Sequence, residues 1–198
     1  MNFNTIAHQK WLNDNADRLR YDFPLNENSI VVDAGGYKGN WAAKIFEKYK
    51  CNIHVFEPIQ SFCDEMRQTF SSNNKITIHN FAVGNSDSDG IMYLHGDATN
   101  AFEKSKKKET VRFIDFNRFL NDIECVDLMK INIEGGEYDL LNSMIKQGTI
   151  GKIKNILVQF HNNGEYFESQ REAICNELKL THWQTFNYPF IWENWQLL

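Results

Sequence analysis

The sequence predicts an α/β fold: a seven-stranded, mostly parallel sheet with helices on both faces, closed at one edge by an antiparallel hairpin. Three observations lead there. Short β-rich apolar runs alternate along the chain with stretches of helical period, a pattern that requires right-handed βαβ crossovers. The first of these runs ends in the glycine-rich turn Asp33-Ala34-Gly35-Gly36-Tyr37-Lys38-Gly39 and opens a helix, as at the ligand edge of doubly wound sheets. The tail THWQTFNYPFIWENWQLL is aromatic, loses helical period and is broken by Asn187 and Pro189, as expected of a closing hairpin.

Taken in order, a polar N-terminal helix is expected over Thr5 to Leu19, within a helical cap or lid spanning residues 1–28. The core, residues 29–198, begins with a strand at Ile30–Asp33 and a helix at Asn40–Tyr49, then a strand at Ile53–Glu57 and a helix at Gln60–Phe70. A strand at Ile76–Val83 leads into a hairpin reaching Leu94. The stretch DATNAFEKSKKKET, Asp97 to Thr110, has neither period; it is expected to be a loop beside the active face, its lysines a solvated run. Alternation resumes with Val126–Ile133 and Glu137–Gln147, then Ile156–Phe160 and Glu165–Leu178.

The bulk numbers bound the function. The chain has 198 residues, 42% hydrophobic and 14% aromatic, which suits one globular domain of the usual size, about 100–200 residues. A formal charge of −5 offers no general attraction to a phosphate backbone, so no nucleic-acid partner is expected. Cys51, Cys63, Cys125 and Cys175 are scattered without metal-ligand spacing and are expected to be reduced thiols. With no apolar leader and no run approaching a membrane span, the expectation is a cytoplasmic protein.

The turn itself is one residue short of a dinucleotide fingerprint, since Ala34 stands where its first glycine belongs. Asp33 just before it would repel a pyrophosphate and favour a cationic ligand. Glu57 ends the second strand 24 residues further on, where a carboxylate would hold two ribose hydroxyls. S-adenosylmethionine meets these demands, having no phosphate, a sulfonium, an ammonium and two ribose hydroxyls. A nicotinamide-dependent oxidoreductase remains the alternative on the turn alone.

Four further segments follow in order: VFEP (Val55–Pro58), NFAVGN (Asn80–Asn85), VDLMKINIEGGEYDLL (Val126–Leu141) and ILVQFH (Ile156–His161). With DAGGYKG they resemble the FkbM-type methyltransferase family over roughly Ser29 to His161. The resemblance implies a Rossmann-like class I methyltransferase fold and S-adenosylmethionine-dependent O-methylation, with S-adenosylhomocysteine as product. The acceptor it implies is a hydroxyl of a sugar in a glycan or of another small molecule, with a glycosyltransferase domain or enzyme of the same pathway as partner. It also marks two departures: Asn132 replaces the aspartate of the fourth-strand motif, and Gln159 stands where an acid is common. These motivate a second alternative, a catalytically inactive binding module.

Cofactor contacts are assigned to Asp33, Gly35, Gly36, Gly39, Asn40, Glu57, Ala82 and Asn132. An alcohol must lose its proton as it is methylated, so a base is sought at the tips of the fourth and fifth strands. His161 or Glu134 is expected to serve, with Glu137 a partner of the helix dipole and Lys130 structural. A divalent metal is left open but not favoured, because Asn132 replaces its natural second ligand. Trp183, Trp192 and Trp195 are candidates for stacking on a sugar ring.

Overall fold

The computed structural model describes residues 3–95, 98–100, 108–162 and 164–198. In chain order, α1 (Phe3–Asn13) precedes β1 (Ile30–Ala34), α2 (Asn40–Tyr49), β2 (Asn52–Phe56), α3 (Gln60–Thr69) and β3 (Ile76–His79). Then come β4 (Ala82–Gly84), β5 (Ser88–His95), β6 (Ala98–Asn100), β7 (Lys108–Asp115) and α4 (Phe116–Asn121). The chain closes with β8 (Leu128–Ile131), α5 (Glu137–Gln147), β9 (Asn155–Val158), α6 (Glu165–Leu178), β10 (His182–Tyr188) and β11 (Trp192–Leu197).

The main sheet has seven strands in the order β10-β11-β9-β8-β1-β2-β3. Its five βα-connected strands are parallel and β11 joins β9 antiparallel, so the expected fold class is found, hairpin included. Side chains alternate between two cores. Val32, Ala34, Met129, Ile131, Ile156 and Val158 pack under Leu141 and Ile174 of α5 and α6. Val31, Ile53, Val55, Leu128 and Leu157 pack under Trp41, Ile45 and Met66 of α2 and α3, joined by Trp11 from α1. Burial on both faces is why these strands are nearly continuous apolar runs.

Several boundaries differ from expectation, each for a local reason. The N-terminal helix ends at Asn13, because Asn15 turns left-handed at φ 49° and the chain restarts as a 3-10 turn over Ala16–Arg20. The helix packs on the hairpin: Trp11 meets the Tyr188 ring edge-on at 5.0 Å, and the Tyr188 hydroxyl donates to Asp14 at 2.7 Å. The run Ile76–Val83 is two strands rather than one. The Asn80 amide donates to the carbonyls of Glu57 and Pro58 at 3.1 and 2.9 Å, pulling the chain out of the main sheet.

Beyond that break lies a second sheet, β4-β7-β5-β6, which the sequence did not suggest. β5 pairs antiparallel with β7 and not with β4, which pairs parallel with β7. The stretch expected to be a loop therefore contributes β6 and the start of β7; Lys104, Lys106 and Lys107 fall outside the described residues. No described helix is long and apolar enough to cross a membrane.

Candidate functional site

The glycine turn after β1 is pressed against the tip of β8. Gly35 sits at φ +84°, and a Cβ there would lie 1.9 Å from the Asn132 carbonyl oxygen. Only glycine permits both the left-handed conformation and that approach. The amides of Gly35 and Gly36 donate to the Phe56 carbonyl at 2.9 and 3.1 Å, which ties the turn to the end of β2. Gly39, at φ +78° against the Phe70 ring, starts α2.

A cavity of about 450 Å³ lies over this turn, a size suited to a nucleoside-sized ligand. Gly35, Glu57, Ala82, Asn132 and Glu134 line it, so the structure brings together five of the residues singled out by sequence. Gly36 and Gly39 shape the turn from behind. Asn40 is exposed at the start of α2 and does not line the cavity. Phe62 and Phe81 add apolar walls, and Ser88, Gly90 and Phe113 of the second sheet close one side. The sequence signal for that side was a lone glycine in a strand: a Cβ at Gly90 would come 2.6 Å from the Phe113 ring.

Asp33 is placed differently from expectation. Its carboxylate is fully buried and paired with Lys130 Nζ at 2.9 Å, so its charge is balanced inside the protein and does not face the cavity. Burial raises its pKa against the opposing pull of Lys130. The same ammonium donates to the Gly35 carbonyl at 2.7 Å, which makes Lys130 a brace for the turn.

Glu57 is 5% exposed and accepts the Tyr37 and Ile59 amides at 2.8 and 2.9 Å, one on each carboxylate oxygen. Burial dominates those two bonds and pushes its pKa up to about 7. Asn132 presents Oδ1 as a buried acceptor with no hydrogen-bond partner among the described residues.

At the other end of the cavity, Glu134 follows β8 in a left-handed conformation, φ 55°. Its Oε2 lies 3.3 Å from His161 Nε2, while His161 Nδ1 lies 2.9 Å from Glu137 Oε1. Glu137 is wholly buried and accepts the Ile133 and Gly135 amides at 2.8 and 2.9 Å; beyond serving the helix start, it clamps the imidazole. The Tyr138 hydroxyl fixes the same loop by donating to the His161 carbonyl at 2.7 Å. Burial alone would lower the His161 pKa, but the bonds to Glu134 and Glu137 outweigh it and lift it to about 10.

An imidazole held there keeps its proton to higher pH than a free one. Of the two residues expected as the base, Glu134 lines the cavity and His161 stands behind it. Because the folded value lies above the unfolded one, the clamp's stabilisation is complete below about pH 6.5 and is lost as pH rises through about 10. The melting temperature should therefore fall between pH 7 and 10, and His161→Gln should remove most of that fall; an unchanged slope in the variant would show that other groups cause it.

A family model described as "Methyltransferase FkbM domain" matches residues 33–188. No curated protein matches the chain. Among solved structures, a putative rRNA methylase from Clostridium thermocellum superposes with a TM-score of 0.56 at 12% identity, covering 94% of this chain and 95% of that one. An rRNA methylase from Streptococcus thermophilus gives 0.53 at 11% identity, covering 88% and 89%. A putative methyltransferase from Streptococcus mutans, solved in complex with S-adenosylhomocysteine, gives 0.50 at 11% identity, covering 88% and 91%. At these identities the likeness is one of fold.

Proposed function

Since the chain belongs to the FkbM methyltransferase domain family, we propose that it transfers a methyl group from S-adenosylmethionine to a hydroxyl, most directly one carried by a sugar of a glycan. Family and fold support methyl transfer over hydride transfer. What favours oxygen as the acceptor atom is one observation: a carboxylate backed by a clamped imidazolium, Glu134 on His161, at the wall of the cofactor cavity.

The residues present fit the cofactor. Each oxygen of Glu57 has accepted one backbone amide and keeps a lone pair for a ribose hydroxyl. Asn132 Oδ1 is an acceptor short of a donor, which an ammonium would supply. Gly35, without a side chain, leaves the cavity floor open. When bound, S-adenosylmethionine supplies an electrophilic methyl on a sulfonium, a leaving group that departs as a neutral thioether.

The protein's task is then positioning and proton removal. Glu134 Oε2 is held by His161, so Oε1 is the oxygen available to an acceptor hydroxyl. As the carbon–oxygen bond forms, the hydroxyl proton becomes strongly acidic and passes to the Glu134 carboxylate. His161 holds that carboxylate in place, and Glu137 holds His161. Both imidazole nitrogens are engaged by carboxylates in this clamp, so His161 is not free to bind a metal. Turnover is accordingly expected to survive chelation.

The balance of −5 disfavours a polyanionic acceptor such as RNA. The test is transfer of a labelled methyl group to a panel of glycosides and to ribosomal and transfer RNA, with the product examined for an alkali-stable ether. A labelled sugar ether supports the proposal; label confined to RNA overturns it.

The cofactor half is tested separately. Glu57→Ala should weaken S-adenosylhomocysteine binding at least about tenfold, since hydrogen bonds to a carboxylate contribute about 1.5–3 kcal/mol each. With the Glu57 carboxyl raised to about 7, the free protein carries it mostly neutral near pH 6, whereas hydroxyl donors favour the ionised form. Affinity measured by calorimetry should therefore rise from pH 6 to 8, and Glu57→Gln should flatten the rise.

A further inference from the structure

A second cavity, of about 570 Å³, opens between the N-terminal segment and the tips of β9 and β11. His8, Trp11, Asp17, Arg20, Gln159 and Trp192 bound it. Its position ties it to the reaction site. The Gln159 backbone N–H donates to the Ile131 carbonyl at 3.0 Å, and Val158 is in register with Ile131, so Gln159 is the cross-strand neighbour of Asn132. Adjacent strands lie about 4.8 Å apart. Leu128 and Leu157 share one face of the sheet, and by alternation Asn132 and Gln159 continue that face. One side chain lines the cofactor cavity and its neighbour lines the second.

The chemistry of the walls selects the ligand. The Arg20 guanidinium lies 5.2 Å from the Trp192 ring centroid and its Nε donates to Asp17 at 2.8 Å, so a flat donor group is held in place with its charge balanced. The Gln159 side-chain carboxamide and the Trp11 and Trp192 indoles border the same cavity. Planar polar groups of this kind pair with adjacent hydroxyls, and the small exposed edges of the two indoles add apolar wall beside them. A balanced Arg–Asp pair offers no excess charge to a phosphate.

We propose that this second cavity is the acceptor subsite: it seats a neutral hexopyranose ring and directs one of its hydroxyls past Gln159 toward Asn132 and Glu134. The inference rests on the sugar O-methylation proposed above and adds the place and the residues of recognition. Of the tryptophans considered for stacking, only Trp192 borders this cavity, 6% exposed beside the Arg20 guanidinium, so it offers an edge rather than an open face. Trp195 is fully buried, and Trp183 lies half exposed on the edge strand, outside both cavities.

The test uses the full chain saturated with S-adenosylhomocysteine and a panel of methyl hexopyranosides, following the five indole N–H resonances by NMR. The same panel is assayed for labelled-methyl transfer. The expected result is that glycosides that are methylated shift the Trp11 and Trp192 signals and leave Trp195 unmoved. Gln159→Ala should raise their KM at least tenfold with S-adenosylhomocysteine affinity unchanged. If glycosides are methylated while neither signal moves and the Gln159→Ala KM is native, the subsite lies elsewhere and sugar methylation stands. If no glycoside is methylated or shifts a signal, both fail.

Discussion

Glu134→Gln should lower the rate of methyl transfer by about 10²–10⁴ while S-adenosylhomocysteine affinity stays near native. The substitution keeps the volume and an oxygen that can accept from His161, and removes only the ability to take a proton. The pH profile separates the two candidate bases. An imidazole working at its ordinary value would make the rate fall below about pH 6.5. With His161 held up to about 10 as a clamped cation, no inflection is expected there. A profile that does break near 6.5, and loses the break in His161→Gln, would return the role of base to the histidine. Native turnover in Glu134→Gln would remove the carboxylate from the mechanism.

Lys130→Met should cost about 3–5 kcal/mol of stability, the usual consequence of leaving a buried charge without its partner. Asp33 has no access to water, and its Oδ2 already lacks a hydrogen bond, so nothing nearby can replace the ammonium. The double variant Asp33→Leu with Lys130→Met removes both charges and should recover most of the loss, because pairs of this kind are often no better than apolar residues of similar size. Denaturant unfolding of the three proteins measures the comparison. Equal losses in the single and double variants would mean that the lysine acts mainly through its bond to the Gly35 carbonyl, which both variants lack. That outcome should also weaken cofactor binding, since the turn would lose its brace.

Much of the fold was legible because its signals are local. Alternation between a period of two and a period of 3.6 marks each strand and helix of the main sheet, and the chirality of crossovers leaves few ways to assemble them. The cofactor edge was legible for the same reason: Gly35, Gly36 and Gly39 fall within one turn, and Glu57 and Asn132 directly follow strands that the pattern already placed. The second sheet was not legible, because β4 pairs with β7 across a lysine-rich segment that hides the pairing, and the break at Asn80 depends on side-chain bonds to Glu57 and Pro58.

From its order of residues alone this chain sets its class, its glycine cradle and the carboxylate, Glu57, that lines the cavity above it. The chemical state of those groups was decided only in three dimensions. Asp33 and Lys130 are 97 positions apart, and Glu137 and His161 are 24, yet each pair is in contact. Side-chain charge and proton affinity depend on what lies within a few ångströms and on how much water is excluded, and neither quantity is written in sequence spacing. Asp33 thus sits in an internal ion pair with Lys130, and His161 between the carboxylates of Glu134 and Glu137.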